Sequence, residues 1–95
     1  MVQRGYLRCI SFAGSDPTCG AGLQADLKTF QAVGVLGATV VTAVTAQNSS
    51  GVQSVWYVPV SQVRAQYESI LAEHSLHCVK IGMMGTCDVV AYLAE

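Results

Sequence analysis

The sequence contains few charged residues, and neither sign is in strong excess. Asp, Glu, Lys and Arg make up 12% of its 95 residues, and five basic against six acidic side chains leave a net charge of -1. A protein that binds nucleic acid phosphates or an anionic membrane surface usually carries a basic patch. We therefore expect neither nucleic acid nor a membrane as a partner.

The sequence also lacks a segment suited to spanning a bilayer or directing secretion. The most apolar long stretch, residues 35–46, contains three threonines and is shorter than the roughly 20 residues that a transmembrane helix needs. The first residues show no apolar core followed by a small-residue cleavage site, as a signal peptide would. These absences predict a cytoplasmic location.

No two cysteines form the C-x-x-C pair that is typical of zinc and redox sites. His74 and His77 lie beside one of the cysteines, but no further group of ligands converges with them, so we expect no metal site. The four cysteines are widely spread along the chain and are expected to be free thiols: Cys9, Cys19, Cys78 and Cys87.

Hydrophobic residues make up 52% of the sequence, and their pattern predicts alternating strands and helices. Short apolar runs at residues 7–13, 38–46, 52–58 and 78–81 predict four strands. The second run is uncharged throughout, which is typical of a parallel strand covered on both faces. Ser61 is expected to cap a second helix whose apolar face is formed by Val63, Tyr67, Ile70 and Leu71, and Thr86 is expected to cap a third.

The resulting order of elements predicts an α/β fold with a mainly parallel sheet. A sheet that stops after the third helix would have an uncovered face and an unpaired edge. We therefore expect residues 1–95 to be a fragment of a larger fold.

Asp26 lies inside the apolar face of the first predicted helix. Leu23, Leu27, Phe30 and Val33 repeat at helical spacing, Gly34 ends the helix, and Asp26 falls within the arc that they define. A carboxylate at such a position needs a partner. Two interpretations remain open: Asp26 faces a ligand, or it pins neighbouring backbone.

A glycine-rich loop, residues 14–22, joins the first strand to this helix. Such loops let backbone approach a ligand closely, although a tight connection without a ligand has the same composition. The G-K-[ST] ending of a P-loop is absent. The G-x-G-x-x-A pattern at 20–25 has no acidic residue between Asp26 and Glu68 that could hold a ribose, which argues against dinucleotide binding.

Two further loops follow predicted strands, on the side where open α/β sheets bind ligands. Gln47 directly follows the second strand, and its amide is suited to the edge of a heterocycle. Met83 follows the fourth strand and is suited to packing on a flat ring, although methionine more often fills gaps in a core. Lys80, within the fourth strand, is expected to pair with a carboxylate that the sequence does not identify.

Four blocks of sequence, in this order, closely resemble the hydroxymethylpyrimidine/phosphomethylpyrimidine kinase family of thiamine biosynthesis. They are GSDPTCGAGLQADLK at 14–28, TAVTAQN at 42–48, GVQ at 51–53 and KIGM at 80–83. The resemblance covers essentially the whole chain but corresponds to the N-terminal part of the family's ribokinase-like domain, a three-layer α/β/α fold. A glycine usually occupies the place of Cys19 in the family.

The resemblance implies ATP-dependent phosphorylation of 4-amino-5-hydroxymethyl-2-methylpyrimidine and then of its monophosphate, with Mg²⁺ and a homodimeric whole protein. Gly14, Asp26, Gln47 and Met83 fall on family positions that line the pyrimidine pocket. The family's catalytic base, anion hole and most of its ATP site lie in a later part of the domain. We therefore expect no catalytic residue among residues 1–95 and no kinase activity from them alone.

Two alternatives remain. Related enzymes of the fold accept pyridoxal, so a pyridoxal kinase is the nearest one. The other is a non-catalytic module that binds a small molecule through the same pocket.

Overall fold

A computed structural model describes residues 7–94. The first residues, where the sequence shows no signal peptide, lie outside the described part. No helix within this part is long and apolar enough to cross a membrane. The elements are β1 (Arg8–Ser15), α1 (Gly22–Ala32), β2 (Leu36–Asn48), β3 (Gly51–Tyr57), α2 (Val60–Leu71), β4 (Cys78–Ile81) and α3 (Cys87–Leu93).

The strands form one sheet with the order β3-β2-β1-β4. Strand β1 lies between β2 and β4 and is parallel to both, whereas β2 and β3 form an antiparallel pair. The carboxyl ends of β1, β2 and β4 therefore meet at one edge of the sheet. The predicted mainly parallel α/β fold is confirmed.

Helices cover both faces of the sheet, and side chains that alternate along a strand reach them in turn. Ile10 and Phe12 of β1 are buried in a core shared with Val63 of α2 and Val89 of α3. Ser11, between them, points to the other face and bonds to α1. The arrangement is the three-layer α/β/α architecture that the resemblance implied.

Three local predictions are wrong. Helix α2 begins at Val60 after Pro59, not at a Ser61 cap, because proline has the backbone angle required just before a helix and no side chain caps this end. Leu71, the last residue of α2, is exposed and does not belong to the buried face of the helix. Val44 and Ala46 are also exposed, so only the first part of β2 is covered on both faces.

The prediction of four free thiols is wrong for one pair. Cys9 and Cys78 occupy paired positions on the parallel strands β1 and β4, with their Cα atoms 4.7 Å apart, and their sulfurs form a disulfide. Cys19 and Cys87 are free. The 69-residue separation concealed the pairing, because sheet register and not sequence distance brings the two side chains together.

Candidate functional site

A pocket of about 190 Å³ opens at the edge where the parallel strands end. Loops after β1 and β4 and the last part of β2 form its walls. This position matches the general rule that ligands of open α/β sheets bind at the carboxyl ends of the strands. The lining residues are Ala13, Gly14, Ser15, Asp16, Ala21, Gly22, Thr45, Gln47, Lys80, Gly82 and Met83.

Asp16 organises the glycine-rich loop from within. Its buried carboxylate accepts hydrogen bonds from the backbone N–H and hydroxyl of Thr18, at 2.9 and 2.8 Å, and from the backbone N–H of Ala21, at 2.9 Å. These donors, the Thr18 backbone first among them, lower the pKa of Asp16 below its ordinary value. The carboxylate replaces a side-chain cap at the start of α1, since Ala21 itself offers none.

Gly22 lets the loop pass very close to β1. Its φ is +65°, and a Cβ at this position would overlap the carbonyl oxygen of Gly14. Cys19 has a φ of +64°, in the left-handed region that glycine adopts most readily. The side chain of Gln24 completes the connection, because it accepts from the backbone N–H of Asp16 and donates to the Ser15 hydroxyl.

The orientation of the Gln47 amide follows from the hydrogen bonds around it. The Ser15 carbonyl can only accept, so the Thr45 hydroxyl donates to it over 2.8 Å. Thr45 Oγ1 must then accept from Gln47, whose Nε2 lies 2.7 Å away. Gln47 Oε1 is therefore left as an acceptor at the pocket wall, and no described side chain or backbone group donates to it.

Met83 and Gly14 lie next to each other in the pocket lining. A Cβ on Gly14 would lie 3.2 Å from Met83 Sδ, so the absence of a side chain on Gly14 makes room for the sulfur. The loop that carries Met83 is attached to β2, because the buried hydroxyl of Thr42 donates to the Met83 carbonyl. Half of the Met83 side chain remains exposed and available to a flat ligand.

Asp26 joins α1 to two strands beneath the pocket. Its Oδ2 accepts from Ser11 Oγ at 2.5 Å and from Lys80 Nζ at 2.9 Å. Ser11 and Lys80 are paired across β1 and β4, so the register places both donors under the helix. The expectation that Lys80 pairs with a carboxylate is confirmed, and Asp26 is its partner.

The structure brings three of the four predicted site residues together at one pocket: Gly14, Gln47 and Met83. Asp26 does not line the pocket and reaches it through Lys80. Sequence reasoning did not single out Asp16 or Thr45. The Asp16-Pro17-Thr18 order could have indicated the role of Asp16. In such turns the Asp side chain typically accepts a hydrogen bond from the backbone N–H two residues later.

The described residues do not form a recognisable metal site. Among residues 7–94, no group of three or more His, Cys, Asp or Glu side chains is placed to hold a metal ion. We therefore assign no Mg²⁺ ligand to this part of the chain.

Comparison with protein families gives a match to phosphomethylpyrimidine kinase over residues 16–95. The chain is 51% identical to a hydroxymethylpyrimidine/phosphomethylpyrimidine kinase of Streptomyces coelicolor across 90% of the chain and 32% of that relative. The chain thus spans about one third of the length of the curated relative.

Two solved structures resemble the described fold closely. A phosphomethylpyrimidine kinase of Clostridium difficile is 39% identical with a TM-score of 0.87, covering 92% of this chain and 38% of that one. A Bacillus subtilis pyridoxal kinase, solved as an ADP complex, is 35% identical with a TM-score of 0.84, covering 94% and 35%.

Proposed function

The chain belongs to the phosphomethylpyrimidine kinase family, and on that premise we propose that the protein carrying it phosphorylates 4-amino-5-hydroxymethyl-2-methylpyrimidine and its monophosphate. Residues 1–95 would form the N-terminal, substrate-binding part of a single ribokinase-like domain. The protein would act in the cytoplasm as a homodimer.

The observation that carries this proposal is the fixed acceptor of Gln47 at the pocket wall. Because Thr45 engages the amide nitrogen, Gln47 Oε1 is left to accept a hydrogen bond from a ligand in the pocket that Gln47 lines. The exocyclic amino group of the pyrimidine is a matching donor. Met83 would pack on one face of the ring, and the bare backbone of Gly14 would allow the ring to approach β1.

The phosphoryl donor would be ATP, in keeping with the family and with the ADP complex of the related pyridoxal kinase. The hydroxymethyl oxygen would form a bond to the γ-phosphorus, the bond to the ADP oxygen would break, and the hydroxyl proton would pass to a base. Mg²⁺, when bound, neutralises charge that develops on the phosphoryl oxygens. The described residues would orient the pyrimidine and limit its contact with water.

Pyridoxal is the second candidate substrate. The pyridoxal kinase structure matches nearly as well as the phosphomethylpyrimidine kinase structure, with TM-scores of 0.84 and 0.87. Pyridoxal carries an aldehyde, whose oxygen only accepts hydrogen bonds, at the ring position where the pyrimidine carries its amino group. The Gln47 acceptor thus favours the pyrimidine.

The test is a comparison of both substrates with the protein expressed from its native gene. We expect ATP-dependent phosphorylation of the pyrimidine with a higher kcat/KM than for pyridoxal. Gln47→Leu should raise the pyrimidine KM about tenfold or more, since it replaces the half-buried hydrogen-bond acceptor by an apolar side chain of similar size. Gln62→Leu, an exposed amide on α2, is the matched control.

Two results would contradict the proposal. Preference for pyridoxal would replace the pyrimidine by the second candidate. Absence of phosphorylation of either substrate by the folded native protein would reject a vitamin kinase altogether.

A further inference from the structure

We propose that Lys80 is a pocket-facing residue that donates a hydrogen bond to a neutral acceptor of the bound heterocycle, and that Asp26 positions it. The inference rests on the proposed function. It assigns to Lys80 the ligand contact that the sequence pattern suggested for Asp26.

The contacts around Asp26 are asymmetric. Ser11 is fully buried and donates to Oδ2 from the sheet side. Lys80 donates to the same oxygen from the pocket side. The Asp26 side chain is 15% exposed, whereas that of Lys80 is 47% exposed. The carboxylate is thus held inside, and the ammonium group is the member of the pair that a ligand can reach.

The ammonium nitrogen of Lys80 lies beside the pocket wall. Lys80 lines the pocket together with Gly82 and Met83. A Cβ on Gly82 would lie 3.2 Å from Lys80 Nζ, so the missing side chain leaves space for this group beside the pocket wall. Strand β4 fixes the backbone beneath it, because Lys80 is paired with Ser11 of β1.

The Lys80 ammonium group has more hydrogen-bond donors than Asp26 engages. An ammonium group has three N–H bonds. Among residues 7–94, Asp26 is the one hydrogen-bond partner of the Lys80 ammonium group. Two donors therefore remain for a ligand or for water.

The charges of Lys80 and Asp26 favour a neutral ligand atom. Asp26 lies 2.9 Å from the ammonium nitrogen and balances its charge. A balanced pair favours a neutral lone pair over an anion, because an anion would also meet the carboxylate. A ring nitrogen or the hydroxymethyl oxygen of the pyrimidine has the required lone pair. Lys80 and Gln47 would then supply a donor and an acceptor to the same ring.

The experiment measures pyrimidine binding to the native protein by titration calorimetry without nucleotide. Lys80→Met should raise Kd by about tenfold to one hundredfold, the range for a hydrogen bond to a charged group. Lys80→Arg should recover part of the loss. Arg64→Met removes the same charge from α2, where Arg64 lies over the Tyr92 ring, and should leave Kd unchanged.

A double-mutant cycle tests the positioning role of Asp26. Asp26→Asn should raise Kd in the wild-type background and have little further effect in Lys80→Met, because Asp26 acts through Lys80. Lys80→Met alone leaves the Asp26 carboxylate without its cationic partner and could fold poorly for that reason. The double variant Asp26→Asn/Lys80→Met has no such carboxylate, so its Kd can still be compared with that of Asp26→Asn. In steady-state assays, both single variants should raise the KM for the pyrimidine and leave the KM for ATP unchanged.

Each outcome decides a different point. A wild type that binds no pyrimidine overturns the proposed function and this inference with it. A wild type that binds, with Lys80→Met equal to Arg64→Met, overturns the inference alone. Equal losses from Asp26→Asn in both backgrounds would show that Asp26 contacts the ligand directly and that Lys80 does not mediate its effect.

Discussion

Replacing Gly22 by alanine tests whether the glycine-rich loop is as tightly packed as described. Two separate effects oppose a side chain there. The φ of +65° disfavours any residue with a Cβ by about 1–2 kcal/mol, and the new Cβ would overlap the Gly14 carbonyl oxygen. Strand β1 holds that oxygen, so the backbone has to shift, which adds about 1–3 kcal/mol.

Gly34 provides a control that separates these effects. Its φ is +77°, but no described atom beyond its immediate neighbours in the chain lies within 4 Å of the position that a Cβ would take. Alanine also restricts the unfolded chain, which offsets part of the φ cost. We therefore expect Gly34→Ala to lower the free energy of unfolding by about 1 kcal/mol, and Gly22→Ala to lower it by about 2–4 kcal/mol.

Urea denaturation of the native protein, followed by far-ultraviolet circular dichroism, measures both values. Gly22→Ala should also raise the KM for the substrate, because the loop lines the pocket, whereas Gly34→Ala should not. Equal destabilisation by the two substitutions would refute the close approach of Gly22 to Gly14 and with it the described loop.

Three further predictions concern the same loop and the cysteines. Asp16→Asn should lower the free energy of unfolding at pH 7. Folding lowers the pKa of Asp16, so the stabilisation by its carboxylate is complete above the unfolded value of 3.8 and is lost as the pH falls through the folded pKa. The free energies of unfolding of the wild type and of Asp16→Asn, measured in denaturation curves, should therefore converge as the pH falls below 3.8. Cys19→Gly should raise the free energy of unfolding by about 1 kcal/mol, because it relieves a positive φ; an unchanged midpoint in the same urea assay would contradict this. Alkylation of the denatured, unreduced protein should label Cys19 and Cys87 and spare Cys9 and Cys78 until a reductant is added, as peptide mass spectrometry would show.

Local patterns were sufficient to predict most of the fold. The four strands and three helices lie near their predicted positions, because apolar spacing and β-branched runs report directly on burial. The start of α2 was missed, since Ser61 and Pro59 are both ordinary residues for a helix start.

The site was less accessible to prediction, because its contacts join distant parts of the chain. Gly14, Gln47 and Met83 could be placed at strand ends and meet at one pocket. The partner of Lys80 and the pairing of Cys9 with Cys78 depend on the register of β1 with β4. No spacing within the sequence encodes that register.

The Asp16 carboxylate has a consequence for the kinetics of binding. Its three hydrogen bonds order the loop when the protein folds, before any ligand arrives. The loop therefore loses no further conformational entropy when a ligand binds. Ligand capture should proceed in a single step whose rate rises linearly with ligand concentration, and affinity should be set mainly by the rate of escape.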